Sequence, residues 1–181
     1  MEPLAAPVSA GTGDAAPCYR SVLVARADLA GAELDDLQGL RLAINHRESM
    51  SGWVLPVGMG LPLERFDEIV TTGAHRASLD AVLAGAVDAA PIDSHVLAAE
   101  ATGQPELLAL PVLAEYGPSP SPPVVLAGAG DTDRLRADLA ALAGADDGAA
   151  ALALGRIARL DPVDDAFYDA TRDCDRRAAL C

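Results

Sequence analysis

The stretch Leu40-Arg41-Leu42-Ala43-Ile44-Asn45-His46-Arg47-Glu48-Ser49-Met50-Ser51-Gly52 decides the fold. Leu40 to Ile44 is an apolar run that reads as a buried strand, and Ser49-Met50-Ser51-Gly52 reads as the mouth of a helix beginning near Ser51. Two hydroxyls and a glycine at such a place suit an oxyanion. The first turn of a helix leaves backbone N–H donors without partners and carries the positive end of the peptide dipoles. The pattern points to holding a small anion rather than transforming one, with the N–H groups of Ser51 and Gly52 as the expected main donors.

Working outward, alternation of strands and helices continues on both sides. Ser21 to Arg26 has strand character, and Asp35 to Gly39 reads as a short helix closed by glycine. Pro56, Gly58 and Gly60 predict a short or kinked helix after Ser51. Asp67 to Thr71 reads as a strand, His75 to Leu83 as a helix stopped by Gly85, and Val87 to Ile92 as a strand leading at Asp93 into a helix through about Ala101. This β-α-β-α-β order implies a mostly parallel sheet with helices on its faces.

Beyond it, Leu107 to Leu113 is an apolar run, and Gly117-Pro118-Ser119-Pro120-Ser121-Pro122-Pro123 reads as a stiff extended connector. Val124 to Ala127 reads as a strand, followed by Ala/Leu helices over about 131–143, 147–159 and 164–179. Residues 1–17, rich in Ala, Gly and Pro without periodicity, read as an irregular lead. No internal repeat is present.

The 181 residues suffice for one ordinary core or two small lobes. A hydrophobic fraction of 51% with only 3% aromatics predicts an aliphatic, finely packed core. All 13 basic residues are arginine and the formal net charge is −14, which disfavours nucleic acid or an anionic membrane surface as partner. That charge does not veto an anion site, because charges beyond about 10 Å are screened at physiological salt while helix-end donors act at contact. Cys18, Cys174 and Cys181 show no CxxC spacing, so neither a zinc site nor a disulfide framework is indicated, although a Cys174–Cys181 bridge is open to the chain. No calcium-loop pattern occurs in the acidic clusters, and no metal or cofactor is expected. No run reaches the roughly 18 to 20 apolar residues of a membrane span, and the first residues lack the basic start and apolar core of an export signal.

Ligands of open parallel sheets gather where strand ends feed helix N-termini. Three such ends are Asn45 to Gly52, Thr72 to Ser78, and Asp93 with Ser94. Ser49 and Ser51 can serve as ordinary helix caps or as oxyanion donors. His75 can make a structural bond at a helix start or donate to the anion. Asp93 can cap its helix or face a cationic part of the ligand, and Tyr19 can be a core tyrosine or reach a cleft. Arg47 and Arg76 flank the site as surface residues or as added charge-assisted donors. His46 and His95 read as solvated or locally bonded. A Ser51, His75, Asp93 relay would be a hydrolase, yet the G-x-S-x-G turn of such enzymes is absent at Ser51.

Taken together, Cys18-Tyr19-Arg20-Ser21-Val22-Leu23-Val24, Leu34-Asp35-Asp36-Leu37-Gln38-Gly39, Ser49-Met50-Ser51-Gly52-x-x-x-Pro56, Thr72-Gly73-Ala74-His75 and Gly85-Ala86-Val87-Asp88-Ala89-Ala90-Pro91-Ile92-Asp93 resemble the phosphate, phosphite and phosphonate substrate-binding proteins of ABC transporters. The resemblance runs from about Tyr19 to Pro123 and more faintly onward. It implies an α/β type II periplasmic binding protein fold, a parallel or mixed sheet flanked by helices, whose two lobes close on an oxyanion and deliver it to a membrane permease, with no catalysis and a periplasmic or cell-envelope location, a cytoplasmic one staying open for want of an export signal. It further implies that Tyr19 is a cleft tyrosine, that Ser49, Met50, Ser51 and Gly52 form the anion turn, that His75 binds ligand, and that Asp93 stands toward the ligand's far end. Family members carry about one more half-lobe before Tyr19. The expectation is therefore an irregular lead over 1–18, a complete ligand-binding lobe over 19–111, and over 112–181 a return segment and C-terminal helices of a partial first lobe. A shortened regulatory or interaction domain of the same fold is the alternative reading.

Overall fold

The computed structural model describes residues 1–11 and 15–180. The chain divides into two compact units, one of Met1–Tyr19 with Pro118–Thr171 and one of Arg20–Gly117 with Arg172–Cys181.

In the second unit the strand-helix alternation is present. Strands β2 (Cys18–Ala25), β3 (Leu40–Ile44), β4 (Phe66–Thr71), β5 (Ala89–Asp93) and β6 (Val112–Pro120) form one sheet in the order β4-β3-β5-β2-β6, its outer parts at Cys18, Tyr19 and Pro118–Pro120 falling in the first unit. β3 runs parallel to β4 and to β5, whereas β2 pairs with β5 antiparallel, so the sheet is mixed rather than mostly parallel. Because β3, β4 and β5 point the same way, their carboxyl ends at Asn45, Thr72 and Asp93 share one edge of the sheet.

The turn at Met50–Val54 runs directly into α1 (Leu55–Gly58), and α2 (His75–Leu83) and α3 (Ser94–Glu100) follow β4 and β5. The core is aliphatic. Val22 and Val24 of β2, Ala43 of β3, Leu79 and Val82 of α2, and Ile92 of β5 pack with Leu107 and Leu110, the helical face and the strand faces supplying side chains at their respective periods. At about 25 cal/mol per Å² of apolar surface, burial of such side chains contributes roughly 1.5–3 kcal/mol each before entropy is counted.

At the sheet end away from the strand carboxyl ends, Asp88 is buried and accepts from Arg41 three times, from its backbone N–H at 2.7 Å and from Nε and Nη2 at 3.0 Å each. Arg26 Nε stands 3.2 Å from the same carboxylate. The Arg41 guanidinium, first of all, holds Asp88 below the usual carboxylate range against the opposing effect of burial.

The first unit departs most from expectation. The region read as an irregular lead holds β1 (Glu2–Ser9), the middle strand of a three-stranded antiparallel sheet between β7 (Val124–Leu126) and β8 (Ile157–Pro162). The expected connector over 117–123 begins as the end of β6. The expected helix over 147–159 is shorter, α5 (Asp146–Leu154), because Gly155 and Arg156 turn the chain into β8; Arg156 itself adopts a left-handed φ of 55°. α4 (Thr132–Ala141) precedes it, and the small core joins Ala5, Leu152 and Leu160 with Leu139, Leu142 and Ile157. α6 (Asp169–Ala178) starts in this unit, but from Arg172 onward its residues belong to the second. Neither Cys18 nor Cys174 is in a disulfide; Cys181, the other half of the Cys174–Cys181 bridge, lies outside the described residues.

Candidate oxyanion site

The shared carboxyl edge of β3, β4 and β5 brings most of the sequence candidates of the second unit together. Thr72 ties the ends of two strands: its N–H donates to the Ile44 carbonyl at 2.8 Å, and Gly73 N–H donates to Asn45 at 3.0 Å. Thr72 Oγ1 also lies 2.6 Å from Ser78 Oγ in α2, which fixes where His75 begins its helix.

Ser49 caps the turn, accepting from Gly52 N–H at 3.0 Å. Its carbonyl then accepts from both Trp53 and Val54 N–H at 3.0 Å, the wide π-type turn that opens this helix. Gly52 N–H is thus already engaged, which corrects its expected role as a main donor. The first-turn N–H groups of Met50 and Ser51 have no carbonyl to reach within the helix. Ser51 does not cap: its Oγ lies 2.8 Å from His75 Nε2, and its carbonyl accepts from Ser21 Oγ at 2.6 Å.

Any side chain at position 52 would displace Asn45 or Ser49. A Cβ there would meet Asn45 Cγ at 2.7 Å, with Asn45 Oδ1 closer still, and Ser49 Oγ at 3.0 Å. Asn45 Oδ1 also accepts from His46 N–H at 3.1 Å. Ser21 and Asn45 are therefore structural members of the site to which the sequence assigned no role. Their signals were a hydroxyl directly ahead of the apolar run Val22-Leu23-Val24 and an amide directly at a strand end.

His75 is half-buried, and desolvation is the chief reason its imidazole titrates below the usual value; the charge of Asp93 works against that shift, and His46 works with it. His75 Nδ1 is buried without a hydrogen-bond partner. Asp93 spends one oxygen capping α3, accepting from His95 N–H at 2.8 Å and Val96 N–H at 3.3 Å. A Ser-His-Asp relay requires that carboxylate on the far ring nitrogen, so its third member is out of place.

The arginines expected to flank the site are engaged elsewhere. Arg47 stacks on Trp53 with its guanidinium carbon 4.3 Å from the ring centroid, and Arg76 pairs with Asp80 at 3.1 Å and with Glu100. His46 Nδ1 lies 3.3 Å from Glu48. Met50 is partly buried, and Tyr19 is a buried residue of the first unit. Among the described residues no cluster of His, Cys, Asp or Glu is placed to hold a metal ion, and no helix is long and apolar enough to cross a membrane.

The family model for the periplasmic substrate-binding protein of phosphonate ABC transporters matches residues 1–168. The chain belongs to this family. It is a family of transporter binding proteins, not of enzymes. Solved structures of similar fold include a binding-protein component of a phosphonate ABC transporter from Pseudomonas aeruginosa, with a TM-score of 0.80 at 21% identity over 99% of this chain. PhnD1 of Prochlorococcus marinus, solved with methylphosphonate, aligns with a TM-score of 0.74 at 18% identity over 99% of this chain and 72% of its own. XAC2383 of Xanthomonas citri, solved with chloride ion, gives 0.75 at 18% over 98% and 70%. At these identities the likeness shows the type II periplasmic binding protein fold. The chain spans 64% of the Pseudomonas protein's length. No curated protein matches the sequence significantly.

Proposed function

We propose that this phosphonate-binding-protein family member binds phosphate, phosphite or a phosphonate at the helix mouth formed by Ser49, Met50, Ser51 and Gly52. The observation that carries the reading is Ser51 Oγ at 2.8 Å from His75 Nε2, on the carboxyl edge of three like-directed strands. Free N–H groups of the first turn and the Ser51 hydroxyl, oriented by the imidazole, give directed donors for an oxyanion. With the neutral imidazole carrying its proton on Nε2, Ser51 Oγ accepts from it and turns its own proton toward the ligand. Asp93, on the same edge, supplies a negative group for an amino-bearing ligand. The methylphosphonate bound by the Prochlorococcus relative supports this ligand class.

In this reading the protein is the substrate-binding component of an ABC transporter. It acts in the periplasm or cell envelope and hands its anion to a permease. Thermal unfolding with and without millimolar phosphate, phosphite, methylphosphonate, 2-aminoethylphosphonate and sulfate tests it. A saturable rise in midpoint for a phosphorus oxyanion but not for sulfate is expected from linkage. A cooperative transition that none of them moves would remove the ligand reading and leave an interaction domain of the same fold.

A further inference from the structure

The helix that bears the proposed anion turn is gripped from behind. A Cβ on Gly58, the last residue of α1, would lie 3.0 Å from the Cys174 carbonyl carbon and nearer to its oxygen, so only glycine lets the two backbones approach. Cys174 and Ala178 form the buried stripe of α6. Farther along, Asp175, Ala178 and Ala179 wall a cavity of about 240 Å³ together with Arg47, Trp53 and Val54. α6 thus meets the end of the helix at Gly58 and borders the loop and first turn at Arg47 and Trp53. The stack of Arg47 on Trp53 joins the loop ahead of Ser49 to the helix behind it.

We propose that the C-terminal half of α6 is a positioning strut, holding the Ser49–Gly52 turn in place through the Gly58–Cys174 contact. Its functional consequence rests on the oxyanion reading; the mechanical claim does not. The Ser49 cap, Ser21 and His75 tie the turn on its strand side, and α6 fixes α1 from the other end. Trp53, the single tryptophan of the chain, sits between the two.

The test uses the full chain carrying Gly58→Ala, with Gly103→Ala as control, since a Cβ at Gly103 would meet Glu100 O at an ordinary 3.8 Å. Two quantities are read below the unfolding transition: amide exchange of Gly52, Trp53 and Val54 relative to Leu42 and Ile92, and affinity for methylphosphonate. Gly58→Ala should speed exchange at the turn about tenfold against the core amides and weaken binding about tenfold, while Gly103→Ala changes neither. A folded Gly58→Ala protein with the relative exchange unchanged overturns the strut. Absence of binding of phosphate, phosphite and methylphosphonate alike in the unmodified chain removes the oxyanion reading, yet the exchange still decides the mechanical claim. Should Gly58→Ala fail to fold, Ala178→Gly, which trims the buried stripe of α6 without adding bulk, carries the same expectation and the same overturning result.

Discussion

The α-carbon of Gly52 faces the side chain of Asn45 with no room for a methyl group between them. Asn45 is itself held at the strand end, its carbonyl accepting from Gly73. The amide that would have to move also accepts from His46 N–H at 3.1 Å, so yielding loosens the join of β3 to the helix. Gly52→Ala should cost about 1–3 kcal/mol, the usual range for overpacking, and abolish measurable anion affinity. Chemical denaturation and ligand titration of the variant check both halves. An affinity that survives would mean the anion does not use this turn.

Ser51→Ala and His75→Ala each remove one member of a contact at 2.8 Å. Each should weaken phosphonate binding by about 1.5–3 kcal/mol, the range for hydrogen bonds to charged groups, and the double variant by less than the sum because the two act as a unit. Calorimetric titration measures this. Since Asp93 is not on His75 Nδ1, Ser51 should also resist a serine-directed phosphonate probe, and covalent labelling at Ser51 would reopen hydrolysis.

The depressed titration of His75 has a definite sign in stability. Burial lowers its folded value below the ordinary 6.5, so between the two values the unfolded chain binds a proton that the folded chain refuses. Stability contributed by neutral His75 is complete above 6.5 and is lost as pH falls through the folded value. His75→Gln should therefore flatten the stability profile in that acid window relative to the unmodified chain. Parallel denaturation curves from pH 5 to 8 show it, and identical slopes would refute the assignment.

Asp88 acts in the same direction at lower pH. Its carboxyl is held below the ordinary 3.8 chiefly by Arg41, so the bond network is intact above that value and fails as pH drops through the folded one. Asp88→Ala leaves the backbone N–H and Nε of Arg41 without their acceptor, while Nη2 keeps the Gly85 carbonyl at 3.0 Å. With Arg41 about a third exposed, the loss should be about 1–3 kcal/mol rather than the full cost of a deeply buried pair. Anion affinity should hold, since the pair lies at the opposite end of the sheet.

Much of the second unit was legible because its segments carry clean signals: β3 and α2 fall where the apolar run Leu40 to Ile44 and the spacing of Leu79, Val82 and Leu83 put them. β1 was not, because Glu2-Pro3-Leu4-Ala5-Ala6-Pro7-Val8-Ser9 has two prolines and three small residues where a strand usually shows β-branched alternation. Only its position between β7 and β8 makes that sequence a strand. β8 was hidden for a related reason: Ala/Leu continuity into Leu154 suggested more helix, and the stop at Gly155-Arg156 was readable but outweighed. At the site, the sequence located Ser49, Ser51 and His75 but could not tell that one serine caps while the other meets the imidazole. That distinction rests on a contact between residues 24 apart, which no local pattern encodes.

The register of β1 sets an order of events during synthesis. Glu2 to Ser9 leaves the ribosome ahead of everything else described here, yet its partners are Val124–Leu126 and Ile157–Pro162. The residues 20–117 between them can close their own sheet while translation continues, because each of their strand pairings lies within that stretch or at its ends. β1 must wait, an unpaired apolar segment, for more than a hundred further residues, and long closure of this kind slows pairing. β1 is thus made before both of the strands it pairs with, and a nascent chain arrested before β8 should leave one of its edges open to chaperones.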